Sequence, residues 1–296
     1  MATLIGRRGD GPRKFRELMS TKEIILAPGA FNSLSARLIE STGFDAVYMT
    51  GFGTSASLLG YPDVGLLTMS EMVENARRIV NSVNLPVIAD ADTGYGNPIN
   101  VIRTIQEYEK AGVAGIHIED QVFPKKCGHI SGKETVSLED MVQKISAAKD
   151  AKSRDFVLIA RTDAIAVEGL ESALERAKQY YRAGADMLFV EAPESVEQVE
   201  TISKELRGIP LLFNWAEGGK TPPLDLETLK KFGFKVVIFP ISTLLSATLA
   251  MRNVLEQIRK DGTPINVMDK LYPFRNFLEF IGLPEVQNLE KKYKSK

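Results

Sequence analysis

The only cysteine of this chain lies in a loop whose residues could deliver a proton, Lys125-Lys126-Cys127-Gly128-His129. A thiol between two lysines and an imidazole is stabilised as the thiolate, because each neighbouring cation favours the charged form. Gly128 and Gly132 allow the segment to bend and close. The preceding run, 115–121, has the pattern of a buried strand that ends in acidic residues. Together these features predict a mobile lid that delivers an acid to a metal-bound substrate.

Three carboxylates are predicted to converge beside this loop. Asp90 and Asp92 are two residues apart, so strand geometry would point both to one face, and Glu119 follows from the next strand. Without a cysteine or histidine cluster, such oxygen ligands favour Mg²⁺, with Mn²⁺ as the alternative. Zinc is disfavoured because the chain has only two histidines. The aspartates could instead cap the turn at 93–98, and His117 is expected to be a hydrogen-bonded interior residue rather than a ligand.

Further polar residues at predicted strand ends could bind an acidic substrate. Arg161 is costly to bury unless it is paired, and its planar guanidinium suits a carboxylate. A structural ion pair with Glu191 or Asp163 is the alternative, and both arrangements could hold. The stretch Thr50-Gly51-Phe52-Gly53 offers a hydroxyl and backbone N–H groups as a cradle for a second carboxylate. Asn214 can donate from its amide.

Short apolar runs alternate with amphipathic stretches along the chain. The runs are 24–27, 46–49, 87–91, 115–118, 156–160, 187–190, 210–213 and 236–239. Eight strands that are each followed by a helix predict a (β/α)8 barrel, whose active residues lie where strands end. An open doubly wound sheet is the other candidate, but no G-x-G-x-x-G motif follows the first strand. We therefore predict a single catalytic barrel domain, 1–296, with the barrel at about 22–241 and a C-terminal helical extension at 242–296.

Composition restricts the partners that this chain could bind. Its 37 basic and 38 acidic residues give a net charge of -1, which predicts neither a nucleic-acid nor a membrane partner. An acidic small molecule must then be held by a local site. No apolar run reaches the roughly 18 residues of a membrane span. A single cysteine forms no intrachain disulfide, which indicates a reducing, cytoplasmic location.

Four motifs resemble the isocitrate lyase/phosphoenolpyruvate mutase superfamily, and the similarity extends along nearly the whole chain. They are Asp-Ala-Asp-Thr-Gly-Tyr-Gly at 90–96, Ile-Glu-Asp-Gln at 118–121, Lys-Lys-Cys-Gly-His at 125–129 and Ala-Arg-Thr-Asp at 160–163. The cysteine-containing loop resembles the lyase branch, whereas the phosphonate-forming mutases carry a gating loop without cysteine. The members that the chain most resembles are 2-methylisocitrate lyases, 2,3-dimethylmalate lyases and petal-death-type proteins.

The resemblance implies a reaction and a metal. The reaction is the Mg²⁺-dependent, retro-aldol-type cleavage of a 2-hydroxy di- or tricarboxylate, such as 2-methylisocitrate, to pyruvate and a succinate-type product. Asp92 would bind the metal directly. Asp90, Glu119 and Asp63 would bind it through water molecules. Members of the family are commonly homotetramers that exchange their C-terminal helices, so exchange of the extension between subunits is expected.

The same resemblance assigns roles around the bond that is cleaved. Cys127 on the closed lid would protonate the carbanion equivalent left by cleavage, with Lys125 and His129 tuning the thiol. Tyr48 and a metal-bound water are the candidates for accepting the hydroxyl proton. The implied catalytic residues are Cys127, Lys125, His129, Arg161 and Glu191. The implied substrate-binding residues are Tyr48, Thr50, Gly51, Phe52, Arg161 and Asn214.

Two positions bear on the choice of substrate. Phe52 replaces a glycine of typical methylisocitrate lyases and resembles the aromatic residue of petal-death-type members, which leaves room for a smaller alkylmalate. Pro240 resembles the lyases at a position where oxaloacetate hydrolases tend to carry serine, which favours a lyase over a hydrolase. The competing hypotheses are therefore a 2,3-dimethylmalate-type lyase and an oxaloacetate hydrolase.

Two other classes of function fit the sequence less well. A non-catalytic binding barrel has no physical need for the buried charges of the predicted site. Hydrolysis by a Cys127 nucleophile would need a fixed partner, but His129 is two residues away on a flexible loop without an evident orienting carboxylate.

Overall fold

The computed structural model describes residues 3–4, 10–128 and 132–294. Within them, eight parallel strands form a closed barrel in chain order, which confirms the predicted (β/α)8 fold. The strands are β1 (Ile25–Ala30), β2 (Val47–Met49), β3 (Val87–Asp90), β4 (Gly115–Glu119), β5 (Val157–Thr162), β6 (Met187–Val190), β7 (Leu211–Asn214) and β8 (Val236–Phe239). Each predicted apolar run overlaps one strand, because parallel strands covered on both faces need apolar side chains throughout.

Helices follow the strands and cover the outer face of the barrel. They are α1 (Gly11–Thr21), α2 (Ser33–Ser41), α3 (Gly51–Leu59), α4 (Met69–Ser82), α5 (Pro98–Lys110), α6 (Leu138–Ala151), α7 (Ile165–Glu168), α8 (Leu170–Ala183), α9 (Val196–Glu205) and α10 (Leu226–Lys231). Asn32, Thr68 and Asn97 each form a capping box that satisfies N–H groups at a helix start. Among the helices described, none combines the length and the apolar character that crossing a bilayer requires.

The amino end of the barrel is closed by α1. Phe15 is completely buried and belongs to the same apolar cluster as the inward-facing residues of the strands. The guanidinium of Arg16 donates to the carbonyl oxygens of Asp155 and Phe156 and to the Asp186 carboxylate at 2.8 Å. This end is therefore filled, and a ligand must enter at the carboxyl ends of the strands.

The chain divides into two compact units between Leu244 and Leu245. The second unit contains most of α11 (Ser242–Asp261), a 3₁₀ helix (Ile265–Lys270), α12 (Phe274–Phe280) and α13 (Leu283–Tyr293). The sequence pattern predicts one helix over 242–260 and another over 267–280; α11 confirms the first, and the second prediction is wrong. Pro273 has no N–H group and favours an extended residue before it, so the 3₁₀ helix and α12 are separate.

Candidate active site

A cavity of about 230 Å³ lies at the carboxyl ends of the strands. Most of the residues predicted from sequence to act on substrate line it. They are Tyr48, Thr50, Phe52, Asp63, Asp90, Lys125, Cys127, Arg161, Glu191, Asn214 and Pro240. His129 falls outside the described residues. The structure therefore brings the lid and the strand ends to one cavity. This is the end of a (β/α)8 barrel at which active sites lie.

Lys125 connects the lid to the acidic residues. Its ammonium lies 2.6 Å from Asp63 Oδ2 and 2.7 Å from Asp92 Oδ1. The side chain is almost fully buried, so it depends on these carboxylates to offset the loss of water. Burial lowers the pKa of Lys125, but Asp92 and the other nearby carboxylates raise it well above its ordinary value overall. Lys125 is therefore a charged ammonium that is paired with Asp63 and Asp92.

Asp90 and Asp92 meet through a turn rather than through strand alternation. Strand β3 ends at Asp90, and Asp92 has a φ of 47°, in the left-handed region. The backbone N–H of Asp92 donates to Asp90 Oδ1 at 2.9 Å. The expectation that both side chains share a strand face is therefore wrong in its geometry. Neither aspartate caps the next helix, because the N-cap of α5 is Asn97.

Burial and mutual repulsion set the protonation of the acidic residues. Burial, moderated by Lys125, raises the pKa of Asp92 to about 6. Burial also raises the pKa of Glu119 well above its ordinary value. For Asp90 burial acts in the same direction, but the nearby His117, Lys125 and Arg161 lower its pKa overall. The raised pKa values of Asp92 and Glu119 indicate that Lys125 and Arg161 do not fully offset the burial of these carboxylates.

The acidic residues fit a hydrated divalent cation. Both carboxylate oxygens of Glu119 are buried without a hydrogen-bond partner among the described residues, although Arg161 Nε lies 3.2 Å from Oε2. Such oxygens are costly to bury unless water or a cation satisfies them. No three metal-binding side chains within residues 3–4, 10–128 and 132–294 are arranged around one point, so the predicted convergence of Asp90, Asp92 and Glu119 on one ion is not found there. The observation that favours a bound cation is therefore the pair of unsatisfied Glu119 oxygens.

Tyr48 and His117 form a buried pair in the barrel interior. The Tyr48 hydroxyl and His117 Nε2 are 2.8 Å apart, which confirms that His117 is a hydrogen-bonded interior residue. Burial lowers the pKa of His117 to about 4, so the ring is neutral at pH 7. Burial, followed by the charge of Asp90, raises the pKa of Tyr48 well above 10.0. Tyr48 therefore keeps its proton and is suited to donate a hydrogen bond rather than to act as a base.

Arg161 is held by ion pairs on several sides. Asp163 accepts two hydrogen bonds from its guanidinium, at 2.8 and 3.1 Å, and Nη1 lies 3.2 Å from Glu191 Oε2. The guanidinium also stacks 5.0 Å from the centre of the Phe189 ring. Arg161 lines the cavity as well. The ion-pair alternative is therefore confirmed, with both Asp163 and Glu191 as partners. Binding of a substrate carboxylate by Arg161, which still faces the cavity, stays a prediction.

Glu191 and Asn214 form a hydrogen-bonded unit beside Arg161. The Asn214 amide donates to both carboxylate oxygens of Glu191 at 3.2 Å. Glu191 Oε1 also accepts from the backbone N–H of Ala192 at 2.9 Å. These contacts fix the carboxylate and present the asparagine to the cavity.

The stretch 50–53 is the start of a helix rather than a loop. Thr50 is the N-cap of α3, and its hydroxyl accepts from the Gly53 N–H at 3.1 Å. The first N–H groups of a helix, here those of Gly51 and Phe52, have no partner within the helix and attract anions. A side chain at Gly51 would lie 2.3 Å from Asp90 Oδ2, so only glycine allows this approach. The predicted cradle coincides with a helix N-terminus, and its binding of a carboxylate stays a prediction.

The lid comprises residues 121–135, of which 129–131 lie outside the described residues. Its base is closed by the Val122 N–H, which donates to the Glu134 carbonyl at 2.8 Å. The Gln121 side chain accepts from the Lys126 N–H and donates to the Lys126 carbonyl, at 2.9 and 2.8 Å. A Cβ added at Gly128 would lie 2.6 Å from Arg161 Nη2, so the lid backbone rests directly on the barrel.

Three residues that the sequence analysis did not assign also belong to the site or support it. Glu217 lines the cavity after Asn214. Asp120 accepts from the Thr162 hydroxyl at 2.7 Å and from the Asp163 N–H at 2.9 Å, beneath the cavity. Lys133 pairs with Asp163 at 2.9 Å. Only the acidic end of β4 pointed to Asp120, and Lys133 meets a partner 30 residues away that no local pattern indicates.

Comparison with known proteins identifies the family of this chain. Residues 15–259 match the model of phosphoenolpyruvate phosphomutases. The chain is 50% identical to a 2,3-dimethylmalate lyase of Eubacterium barkeri, over 95% of this chain and 97% of that protein. It is 46% identical to a 2-methylisocitrate lyase of Aeropyrum pernix, over 90% of this chain and 86% of that protein.

Solved structures agree with these relatives. An oxaloacetate acetylhydrolase bound to 3,3-difluorooxalacetate superposes with a TM-score of 0.92 at 40% identity, over 97% of this chain and 98% of that one. A phosphonopyruvate hydrolase bound to oxalate and Mg²⁺ superposes with a TM-score of 0.89 at 32% identity, over 97% of this chain and all of that one. The chain belongs to the phosphoenolpyruvate mutase/isocitrate lyase superfamily. The lyases among its relatives support an enzyme that cleaves carbon–carbon bonds.

Proposed function

We propose that this protein is a Mg²⁺-dependent carbon–carbon lyase that cleaves a 2-hydroxy di- or tricarboxylate and releases pyruvate and a second carboxylate. The second product would be succinate from 2-methylisocitrate and propionate from 2,3-dimethylmalate. One observation carries the proposal: the lid residues Cys127 and Gly128 line the same cavity as Arg161 and the acidic residues. One cavity is therefore faced by a proton donor (Cys127), by a cation that can bind a carboxylate (Arg161) and by acidic residues that can bind a metal ion. This combination suits cleavage that leaves a carbanion needing a proton.

The charges around the cavity support the need for a divalent cation. Four carboxylates, Asp63, Asp90, Glu191 and Glu217, line it against two cations, Lys125 and Arg161. A polycarboxylate substrate would be repelled by this balance unless a further cation were bound. Asp92 would bind the ion directly, with Asp90, Glu119 and Asp63 binding its waters. When bound, Mg²⁺ supplies Lewis-acid polarisation of the substrate oxygens.

The side chains of the protein divide the remaining work. The N-terminus of α3, beginning at Thr50, and the guanidinium of Arg161 bind the carboxylate of the pyruvyl half. Tyr48 keeps its proton, because burial and Asp90 raise its pKa. The proton of the substrate hydroxyl therefore passes to a water molecule in the cavity rather than to Tyr48. Glu191 holds Arg161 and Asn214 in position. After cleavage, the Cys127 thiol gives its proton to the carbon of the second product, and the closed lid excludes water from that step.

The walls of the cavity favour a compact, alkylated substrate. Phe52, Ile238, Pro240 and Ile241 form an apolar side, and the space is about 230 Å³. Alkyl groups of a substituted malate would be stabilised against such a side, whereas a third carboxylate would lose its hydration there. Within the proposed lyase class, a 2,3-dimethylmalate-type substrate is therefore favoured over 2-methylisocitrate.

Oxaloacetate hydrolysis is the second candidate function. The observation that favours it is the superposition with the oxaloacetate acetylhydrolase, whose fold and length match those of this chain. Against it, Pro240 lines the cavity at the position where oxaloacetate hydrolases tend to carry serine. Proline cannot donate the hydrogen bond that a serine hydroxyl could, and this favours the lyase.

One assay separates these functions. The purified enzyme with Mg²⁺ is given 2,3-dimethylmalate, 2-methylisocitrate, isocitrate or oxaloacetate, and pyruvate, glyoxylate and oxalate are quantified, since cleavage of isocitrate would give glyoxylate instead of pyruvate. We expect pyruvate from one of the hydroxy acids, with 2,3-dimethylmalate giving the highest kcat/KM. Oxalate from oxaloacetate, without pyruvate from the others, would identify a hydrolase. No product from any substrate would contradict both assignments.

The raised pKa of Asp92 predicts how Mg²⁺ affinity changes with pH. Mg²⁺ binds the carboxylate, so protonation competes with binding below the pKa of about 6. The Kd measured by titration calorimetry at pH 5 is expected to be about tenfold weaker than at pH 7.5. Circular dichroism at both pH values checks that the fold is unchanged. A Kd that is constant across this range would show that Asp92 does not titrate there or does not bind the ion.

A further inference from the structure

Lys133 is a buried lysine at the far end of the lid to which the proposed chemistry assigns no role. It is 8% exposed, and its ammonium lies inside the protein. The ammonium donates to two acceptors, the Gly128 carbonyl of the lid and Asp163 Oδ1 of the barrel, the latter at 2.9 Å. A buried ammonium is costly unless it is paired. Lys133 therefore joins the lid to the barrel through one charged group.

The barrel partner of Lys133 is itself fixed. Asp163 is completely buried, and its backbone N–H donates to Asp120 Oδ1 at 2.9 Å. Its carboxylate is shared between Lys133 and Arg161, with Arg161 Nη2 at 3.1 Å from the oxygen that Lys133 also binds. Loss of the ammonium would leave Asp163 to interact with Arg161 alone. The lid, through Lys133, and the guanidinium of Arg161 therefore both contact the Asp163 carboxylate.

The lid partner of Lys133 lies next to the thiol. Gly128 follows Cys127, and a Cβ there would meet both Arg161 Nη2 and Glu191 Cγ at 2.6 Å. The bond from Lys133 to the Gly128 carbonyl is internal to the lid and fixes the backbone next to the thiol. The ion pair of Lys133 with Asp163 joins that segment to the barrel, so movement of the lid away from the barrel would break it.

We propose that Lys133 is a positioning residue that latches the closed lid: it binds the Gly128 carbonyl and Asp163 together, which holds Cys127 over the cavity and keeps Arg161 in its orientation. The latch acts through Gly128 and Asp163 and does not touch the substrate. It predicts that closure and carboxylate binding strengthen each other, because both use the same buried carboxylate.

The single cysteine makes the latch measurable without a substrate. Cys127 is partly exposed in this arrangement, so iodoacetamide alkylation followed by mass spectrometry has a baseline rate, and an increase above that baseline reports opening of the lid. Lys133→Met removes the charge and keeps the length of the side chain. We expect Cys127 to be alkylated at least tenfold faster in this variant than in the protein without the substitution. Lys133→Arg keeps the charge and is expected to stay within threefold. Glu134→Gln, at the exposed neighbouring position, controls for a change of one lid charge and should leave the rate unchanged.

Kinetics provide a second readout, which rests on the proposed function, whereas alkylation does not. With the substrate identified by the product assay, Lys133→Met should raise KM and lower kcat/KM at least tenfold. Lys133→Arg should retain most of the original kcat/KM. If the methionine variant fails to fold by circular dichroism, Lys133→Gln is measured against the same criteria. Alkylation within twofold of the unmodified protein in a folded variant would overturn the latch. If Lys133→Met is alkylated faster but the enzyme without substitutions cleaves none of the substrates, the latch is supported and the proposed function is refuted.

Discussion

Replacing Cys127 by serine is expected to lower kcat by about 10³-fold, within the range that general acid catalysis contributes. Serine has nearly the same shape, so the lid can still close over the cavity that Cys127 lines. An alkyl hydroxyl, however, is a far weaker acid than a thiol and cannot protonate the carbon at a comparable rate. Steady-state kinetics on the substrate identified by the product assay give the change in kcat.

Binding measurements separate this loss from a general defect. Cys127→Ser should bind Mg²⁺ and oxalate with unchanged affinity, since the cation-binding carboxylates and Arg161 are intact. Glu134→Gln is a control within the lid, because that side chain is exposed and changes no contact of the thiol. If the serine variant turned over at a rate near that of the unmodified enzyme, the acid role of Cys127 would be refuted.

Replacing Asp92 by alanine should abolish both Mg²⁺ binding and activity, with a loss of at least about 10³-fold in kcat/KM, as expected when Lewis-acid catalysis is removed. Asp92 is buried, lies 2.7 Å from Lys125 Nζ and follows the strand end that carries Asp90. On the proposed assignment the ion would then lose its direct ligand, and the remaining carboxylates would contact only its waters. Titration calorimetry with Mg²⁺ and the product assay measure the two losses independently.

Two variants control for this result. Asp150→Ala removes an exposed carboxylate from α6 and should change neither the Mg²⁺ affinity nor the activity. Asp92→Asn keeps the shape of the side chain, so it guards against misfolding of the alanine variant and should also bind Mg²⁺ weakly. Full activity of either Asp92 variant in the presence of a chelator would contradict the metal assignment.

Much of the fold and part of the site could be predicted without the structure. The alternation of apolar runs and helices predicts the closed barrel, because strands covered on both faces must be apolar throughout. Polar residues at the ends of those runs, such as Glu119 and Asn214, then had to converge, since parallel strands end at one edge. Helix boundaries after residue 261 were less predictable, because Pro273 interrupts an otherwise helical pattern.

The sequence by itself determined the barrel and the edge at which its polar residues gather, because both follow from local periodicity and from the direction of parallel strands. Only the tertiary structure decided how those residues pair. Lys125 meets Asp63 across 62 residues, and Lys133 meets Asp163 across 30. Such ion pairs depend on where loops fold back over the barrel, and the free energy of burying charge selects the partners only once the loops are in place. The turn that brings Asp92 to Asp90 was likewise visible only in the structure, since a left-handed φ is uncommon for any residue other than glycine and the sequence pattern of the strand predicts an extended one.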